Sequence, residues 1–528
     1  VADLTEFNFA DVWEAVADRV GDREALVFLD RRLTYAQIEA RANQLAHYMV
    51  SHGVHAGDHV GLYLMNCPEY VEALLAAYKL RAVPINVNYR YVQDELRYLL
   101  DDADVVGVLY NDELGDRIGG VQASLPDVAW WLNVETEYED AIAGFSPDRD
   151  FGPRSGDDAY VLYTGGTTGM PKGVVWRQED AFFSCIGGGD PTRITGAVTK
   201  PAEVIDRIIG DTFVYFPVAP LMHAAGQWTS LSWWYAGGKV VLLPGSLDPA
   251  YVWRTIEAEK VNLVTVVGDP VVRPLVDEWE RSGPYDVSTL LSIGSGGAPL
   301  SPVLRNRLAE LLPNITVSDG FGSSETGAQG SYRTAGASGD GHARFAPMDD
   351  TTVVLDETTL EPVAPGSGAI GRVARSGHIP SGYYNDPEKT AQTFVHVNDR
   401  RYVITGDMAT VEDDGTIRLL GRGSGCINTG GEKVFPEEVE AVLKAHDAVY
   451  DALVVGVSDE RWGQRVAAVV QPTDGAQPTL DELVAHCRKS LAGYKVPRSL
   501  VVVDQVVRSP AGKADYRWAK SVAEPATS

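Results

Sequence analysis

"YTGGTTGMPKGVV", Tyr163 to Val175, is the stretch whose reading decides the fold. It gathers glycine and threonine around one lysine, as phosphate-binding loops do. It nevertheless breaks the Walker pattern, which needs Gly before the Lys, Ser or Thr after it, and a helix starting there. Here Pro171 precedes Lys172 and Gly173 follows, so a P-loop kinase is opposed. The run Val174, Val175, Trp176 reads as a strand, as does "AYVLY" ahead of the loop, which makes the arrangement strand, loop, strand. A glycine-rich hairpin with one solvated lysine would share those glycines. Against it, Thr164, Thr167 and Thr168 add hydroxyl donors to a loop in which Gly165 and Gly166 let backbone amides approach an anion. The loop reads as a polyphosphate contact of a non-Walker kind.

The rest of the chain sets the terms for any anion bound there. Its 528 residues carry 73 acidic and 45 basic side chains, a formal net charge of −28, which disfavours nucleic acid or an anionic membrane as a partner. An anionic ligand must therefore be met by local cations. The four cysteines, Cys67, Cys185, Cys426 and Cys487, show neither metal-ligand spacing nor a C-x-x-C pair, which fits a reducing compartment. The first twenty residues are amphipathic and acidic, unlike a secretory signal, and the expectation is a cytoplasmic protein. Thr212 to Gly238 carries no formal charge with His223 neutral and is long enough to span a bilayer, but its prolines, His223, Gln227 and hydroxyls argue for a strand, a loop and a buried helix.

Outward from the loop, strands and helices alternate. "DHVGLYLMN", "PEYVEALLAAYKLRA", "PINVN", "DELRYLLDDAD" and "VVGVLY" follow one another before it, and "AYVWRTIEAEKV", "NLVTVVG", "PLSPVLRNRLAELLP" and "ITVSDGFG" after it. Thr34 with Gln37 forms a capping-box pattern opening an early helix. The pattern predicts an α/β fold of mostly parallel sheets covered by helices. From about residue 351 short strands and turns predict a β-rich subdomain, 351–422, that closes a large N-terminal domain, 1–422. "GRGSGCINTGG", Gly421 to Gly431, marks a boundary, and beyond it a self-contained alternation predicts a small, mobile α+β domain, 423–528.

Four further stretches carry candidate chemistry. "SIGSGGAPLSP", Ser292 to Pro302, is a glycine turn before a helix start. "DGFGSSETG", Asp319 to Gly327, ends a predicted strand, where parallel sheets bind ligands. "YVITGDMATVEDDGTIRLLGR" offers Asp407 and Arg422, which alone would read as a turn aspartate and a surface arginine. "RSPAGKADY" places Lys513 in a Pro and Gly turn, alone a solvated lysine.

In this order and combination the five stretches resemble the adenylate-forming superfamily of acyl-CoA synthetases, luciferase-like enzymes and peptide-synthetase adenylation domains. The likeness runs from the first helix to Lys513 and rests on "YTGGTTGMPKG", "GGEKVFPEEVE" and "SPAGKADYRWAK". It is strongest toward actinobacterial synthetases acting on fatty acids or steroid side-chain acids. The resemblance implies an ATP-dependent ligase that activates an apolar carboxylic acid as an acyl-adenylate and passes it to CoA, releasing AMP and pyrophosphate. Thr164, Gly165, Gly166, Thr167, Thr168 and Lys172 would hold the β- and γ-phosphates, and Glu325 would ligate Mg²⁺, a hard cation that bridges phosphates. Ser324, where the family usually has Thr, would contact the α-phosphate or the acid. Asp319, Phe321 and Gly322, with the turn Gly296, Gly297, Ala298, would border the nucleotide, Phe321 keeping the stacking face of the commoner Tyr. Asp407 would accept from the ribose hydroxyls, Arg422 would lie near ribose and phosphate, and Lys513 would be the catalytic lysine.

The resemblance further places Gly430, Gly431 and Lys433 at the CoA tunnel. It sets the hinge at Gly423, Ser424 and Gly425, where the family's charged pivot is missing. His223, Gln227, Trp228 and Val267 are the acyl-pocket candidates, with Trp233 and Trp234 beside them, and core packing is an equal reading of each tryptophan. No aspartate stands near "APLMHAAGQ" to take an α-amino group, so an amino acid is not expected as substrate. The partners expected are the acid, ATP and CoA, with no nucleic acid, no integral membrane span and room for a homodimer. Two alternatives remain at this point: transfer of the adenylate to a carrier protein instead of CoA, and a non-catalytic nucleotide-binding protein.

Overall fold

A computed structural model describes residues 4–165, 170–210, 213–334, 344–429, 432–459, 461–508 and 513–524. Among these, the backbone of the large unit is organised by a nine-stranded sheet whose central six strands are all parallel. Across it run Thr316–Ser323, Ser292–Gly296, Leu263–Val266, Val214–Pro217, Lys239–Val241 and Glu24–Phe28, with antiparallel strands only at the two edges. A second, four-stranded parallel sheet holds Val83–Asn86, His59–Tyr63, Val105–Tyr110 and Trp130–Asn133. The strands of this second sheet are buried on both faces along most of their length, as helix-covered parallel sheets require. His59–Tyr63, for example, is buried at every position. The capping box at Thr34 and Gln37 forms and opens the helix Tyr35–Ser51.

The charge-free stretch resolves into the strand Val214–Pro217 and the helix Ala224–Tyr235, which is packed on all sides. Its indole and backbone polar groups are satisfied inside the core: Trp234 donates to the Ala25 carbonyl at 2.9 Å, and Tyr35 donates to the Trp234 and Gly238 carbonyls at 2.9 and 2.7 Å. Among the described residues no helix is long and apolar enough to cross a membrane.

The strands on either side of the Gly and Thr loop belong to a three-stranded antiparallel sheet. Ala159–Thr164 pairs with Lys172–Arg177, and Lys172–Arg177 pairs on its other edge with the short strand Gly382–Tyr383. That last strand comes from the region that otherwise builds a five-stranded β-sheet from Thr352–Asp356, Gly371–Arg375, Phe394–Val397, Arg400–Val411 and Ile417–Arg422. The β-rich region thus reaches back to the strand that follows the Gly and Thr loop.

From Ile427 on, the chain forms its own sheet, Glu432–Val434, Ile427–Thr429, Gly463–Pro472, Val449–Asp459 and Ser499–Val502, with its own apolar clusters. This small unit is tied to the large one through the helix Gly268–Ser282. Lys444 lies 3.0 Å from the Asp269 carboxylate, both nearly out of solvent, and the Arg273 guanidinium, one turn further along the helix, stands 4.7 Å from the Tyr450 ring centre. Asp269 also accepts the Ser301 amide at 2.7 Å. Burial pushes the Asp269 pKa up, but Lys444 and the Ser301 donors outweigh it and hold it below the usual aspartate value. Burial pulls Lys444 down, but Asp269, Asp451 and Glu440 raise it overall.

Truncating one partner of such a pair strands the other charge, at a cost of about 3–5 kcal/mol. Lys444→Ala is therefore expected to separate the melting of the two units and expose residues 423–426 to protease. Asp269→Asn combined with Lys444→Met should restore much of the contact, read by the same two measurements. The depressed Asp269 makes the contact fully present above about pH 4, its unfolded value, and lost as pH falls through the lower native pKa; the raised Lys444 keeps it present below about pH 10 and loses it as pH rises through the higher native value.

Candidate active site

Glu325 is presented by a tight turn between the antiparallel strands Thr316–Ser323 and Gly327–Thr334. The turn is rigid because its own hydroxyls close it. The Ser323 amide donates to Thr326 Oγ1 at 2.9 Å, the Glu325 amide to Ser323 Oγ at 3.3 Å, and Thr326 Oγ1 to the Gly327 carbonyl at 3.0 Å. The Trp176 indole, on the strand leaving the phosphate loop, donates to the Ser324 carbonyl at 3.0 Å and joins the two motifs. Gly327 has φ +67° and is pressed so closely on the helix before it that a Cβ would stand 2.7 Å from the Ser184 carbonyl oxygen.

Around this carboxylate the structure gathers groups from distant parts of the chain. Glu325 Oε1 accepts from the Tyr383 hydroxyl at 3.0 Å. Lys172, at the start of the strand leaving the phosphate loop, holds its ammonium 5.7 Å from the Tyr383 ring centre and is ion-paired to Asp386. Asp407 and Arg422 are direct cross-strand partners, 3.3 Å apart at Oδ1 and Nε, and Thr405 donates to the other Asp407 oxygen at 2.9 Å. Lys513 enters from the small unit, partly buried. Burial and then the Arg422 guanidinium pull its pKa below the ordinary lysine value, while Glu325 and Asp407 pull it back. Lys513 is thus not the solvated lysine its turn alone suggested, nor are Asp407 and Arg422 a bland turn and surface pair.

His223 caps the buried helix Ala224–Tyr235 and has its Nε2 out of solvent with no hydrogen-bond partner among the described residues. Burial, then Lys513 and Arg90, push its pKa down to about 4, so the ring is neutral near pH 7. Two cations, Lys513 and Arg90, therefore face the edge of the apolar segment, and Arg90 is a residue that the sequence reading did not single out.

The turn Gly296, Gly297, Ala298 follows the strand Ser292–Gly296, with Gly296 paired to Gly320 and Gly297 at φ +85° facing Val267 and Ala225. Phe321 packs its ring across the strand onto Gly330 and 5.0 Å from Phe345.

Several of the sequence candidates have partners inside the protein. Asp319 is buried 3.2 Å from Arg305 on the helix Pro302–Leu311, and burial, opposed by Arg305, pushes its pKa up to about 7. Gln227 and Trp228 have their polar groups hydrogen-bonded within the core. Tyr160 donates to Gln227 Oε1 at 2.6 Å, Gln227 Nε2 donates to the Leu221 carbonyl at 3.2 Å, and the Trp228 indole donates to Tyr160 at 2.8 Å, a closed network in the core. Trp233 and Trp234 are core as well, Trp233 stacked 4.5 Å from Phe213. Lys433 lies apart from the cluster, exposed and 3.6 Å from Glu357. Gly166, Thr167, Thr168, Gly430 and Gly431 lie outside the described residues.

Tyr383 and Asp386 were not found from sequence. The strand Gly382–Tyr383 is two residues long, too short for any periodicity, and only "NDPEKT" after it, with Asp386 capping the helix Pro387–Thr393, gave a local signal.

The carboxylate fits a hard divalent cation shared with a substrate. Among the described residues no cluster of three His, Cys, Asp or Glu side chains forms a protein-made metal cage, whereas Mg²⁺ is held by one or two carboxylates plus phosphate oxygens. Tyr383 occupies one Glu325 oxygen, and the other has no donor among the described residues.

Known proteins resemble the chain along most of its length. The family model described as AMP-binding enzyme matches residues 13–384, and that of the AMP-binding enzyme C-terminal domain matches residues 438–513. The chain is 47% identical to a 3-oxocholest-4-en-26-oate–CoA ligase of Rhodococcus rhodochrous, over 97% of this chain and 95% of the relative. It is 47% identical to a medium/long-chain-fatty-acid–CoA/3-oxocholest-4-en-26-oate–CoA ligase of Mycobacterium tuberculosis, over 98% and 96%. In fold it is similar to a crystal structure of an anthranilate–CoA ligase in complex with anthranoyl-AMP, with a TM-score of 0.86, 23% identity and coverage of 99% and 98%.

The turn that carries Glu325 supplies a test of its own. Gly327→Ala meets both a left-handed backbone and the Ser184 carbonyl, and is expected to lower stability by about 1–3 kcal/mol, measured by denaturant unfolding.

Proposed function

The chain belongs to the AMP-binding enzymes, and from that premise we propose how its residues divide the work of an AMP-forming acid–thiol ligase. The enzyme joins a carboxylic acid to CoA at the expense of ATP. The acid we propose is apolar, a fatty acid or a steroid side-chain acid, the classes named for the relatives. The observation that carries the reading is Lys513, brought by the small unit to the side of Glu325, Arg422 and Asp407.

In the first half-reaction a carboxylate oxygen attacks the α-phosphorus of ATP, the bond to the bridging oxygen breaks, and pyrophosphate leaves with the electron pair. Two anions must approach, so positive charge fixed in place lowers the barrier most. Lys513 neutralises charge between the acid and the α-phosphate. Thr164, Gly165 and Lys172, with the loop residues between, hold the outer phosphates, and Asp407 orients the ribose. Ser324 contacts the α-phosphate or the acid, while Phe321, Gly322 and the turn Gly296 to Ala298 border the base. Glu325 would hold Mg²⁺, which supplies charge neutralisation on the phosphate oxygens when bound.

In the second half-reaction the CoA sulfur attacks the acyl carbonyl, the bond to AMP breaks, and AMP leaves. For this we propose that the small unit turns about Gly423–Gly425 and presents the strand carrying Lys433, with Gly430 and Gly431, to the site. The working boundary of the two domains then lies at 422/423. His223, neutral at pH 7, and Val267, which faces Gly297, are the remaining candidates for the wall that meets the acid. We place the enzyme in the cytoplasm, where ATP and CoA are at hand, and light scattering would show whether it works as a homodimer.

Two measurements test the reading. Lys513→Ala should cut acyl-adenylate formation at least about a hundredfold, the cost of removing one preorganised charge, while thioester formation from a supplied acyl-adenylate persists; equal loss of both in folded protein would refute the role. At the hinge, Gly423–Gly425 forms a 3-10 turn, and neither glycine uses left-handed backbone in this arrangement. Their freedom is unused here and available for another state. Gly425→Pro should leave one half-reaction near normal and slow the other at least about tenfold, since proline locks φ; unaffected turnover would move the pivot elsewhere.

A further inference from the structure

The segment Gly382–Asp386 has no part in the division of labour above, yet it touches two of its members. We propose that Tyr383 is a positioning residue that sets the Glu325 carboxylate, and that Asp386 is an internal counter-ion occupying Lys172 until a polyphosphate displaces it. The proposal rests on the assignment of Lys172 and Glu325 to the ATP site.

The geometry begins with the backbone. Gly382 and Tyr383 pair with Val175 and Val174, and the amides of Ser381 and Tyr384 donate to the carbonyls of Val175 and Gly173 at 2.7 and 2.8 Å. These bonds fasten the segment along the strand that leaves the phosphate loop. The Tyr383 amide donates to Thr390 Oγ1 at 2.9 Å, Thr390 Oγ1 donates to the Asp386 carbonyl at 2.8 Å, and the Tyr383 ring stands edge-on to Phe394 at 5.8 Å. The phenol is thus locked before it meets anything in the site. Its hydroxyl then donates to Glu325 Oε1 at 3.0 Å, and its face receives the Lys172 ammonium at 5.7 Å.

A glutamate side chain is long and loses its freedom only if something holds it. With Oε1 held by Tyr383, the direction of the second oxygen is set as well, and a cation arriving with phosphates finds the ligand already aimed. Asp386 divides its carboxylate between two tasks. Oδ1 accepts the Lys389 amide at 2.9 Å and caps the helix Pro387–Thr393, and Oδ2 meets Lys172. Because the Lys172 side chain is 38% exposed, the pair is reachable from solvent and weak. A triphosphate, with several charges, can take the lysine away. Asp386 thereby keeps the lysine aligned while no phosphate is present and opposes nucleotide binding modestly.

Calorimetric titration of the full-length protein with ATP, with Mg²⁺ and in excess chelator, tests both parts without turnover. Tyr383→Phe keeps the ring and removes the hydroxyl; it should raise the Mg²⁺ concentration needed for tight ATP binding about tenfold, the worth of a hydrogen bond to a charged group, and leave metal-free ATP affinity unchanged. Asp386→Asn retains the helix cap and removes the charge; it should tighten metal-free ATP binding several-fold and leave the Mg²⁺ midpoint in place. An unchanged Mg²⁺ midpoint in Tyr383→Phe overturns the role of Tyr383, and unchanged or weaker metal-free binding in Asp386→Asn overturns that of Asp386. Failure of the wild-type protein to bind ATP under either condition would instead refute the assignment of the site on which the proposal rests. Equal thermal midpoints for the three proteins show that the comparison is between folded forms.

Discussion

The Lys513 ammonium stands partly out of water beside a second cation, Arg422, and two carboxylates, Glu325 and Asp407, offset that repulsion. An isolated lysine placed so would lose its proton or its position. Everything else in the arrangement serves this meeting. The ladder between Arg400–Val411 and Ile417–Arg422 sets Asp407 opposite Arg422, the closed turn between two sheet strands holds Glu325, and the small unit must dock at one angle for its last turn to deliver the lysine.

Polar contacts help to dock the small unit on the large one. Asp269 and Lys444 form a buried ion pair, with Arg273 and Tyr450 beside it. Such a pair contributes less net stability than well-packed apolar groups would, but it tolerates only one geometry. That suits an interface expected to form and part during each cycle: it specifies the docked position without fusing the two units. Asp269 also accepts the Ser301 amide, and its own amide donates to the Pro299 carbonyl at 3.2 Å, so the docking contact is anchored to the turn Gly296–Ala298.

The charge of the whole chain gives this local order its meaning. With a net charge of −28, the protein's long-range field repels ATP, CoA and a carboxylate alike, and only cations held at fixed points can reverse it. Lys172, Arg90, Arg422 and Lys513 come from four separate parts of the chain and are brought together around Tyr383, Glu325 and His223. Lys172 and Arg422 arrive with carboxylate partners in reach, Asp386 and Asp407, so the site is poised rather than bare.

Much of this was legible without coordinates. The alternation of apolar runs fixes parallel sheets under helices because helix and strand periods are local properties, and the broken Walker pattern shows strand, loop, strand because Pro171 and the β-branched run after Gly173 forbid a helix there. The motifs "YTGGTTGMPKG", "DGFGSSETG" and "SPAGKADY" singled out Lys172, Glu325 and Lys513 only in combination, through their resemblance to a known family; alone, Lys513 read as a solvated lysine. Other facts came only from the folded chain. Asp319 turned toward Arg305, Gln227 and Trp228 closed a network with Tyr160, and Tyr383 and Asp386 came to lie against the phosphate loop. Each of these depends on a partner far away in sequence, and no short-range pattern records which face of a strand a distant helix will cover or which edge a two-residue strand will join. The sequence alone determined which chemical groups were available; tertiary structure decided which of them meet, because contact is a property of packing and not of order along the chain.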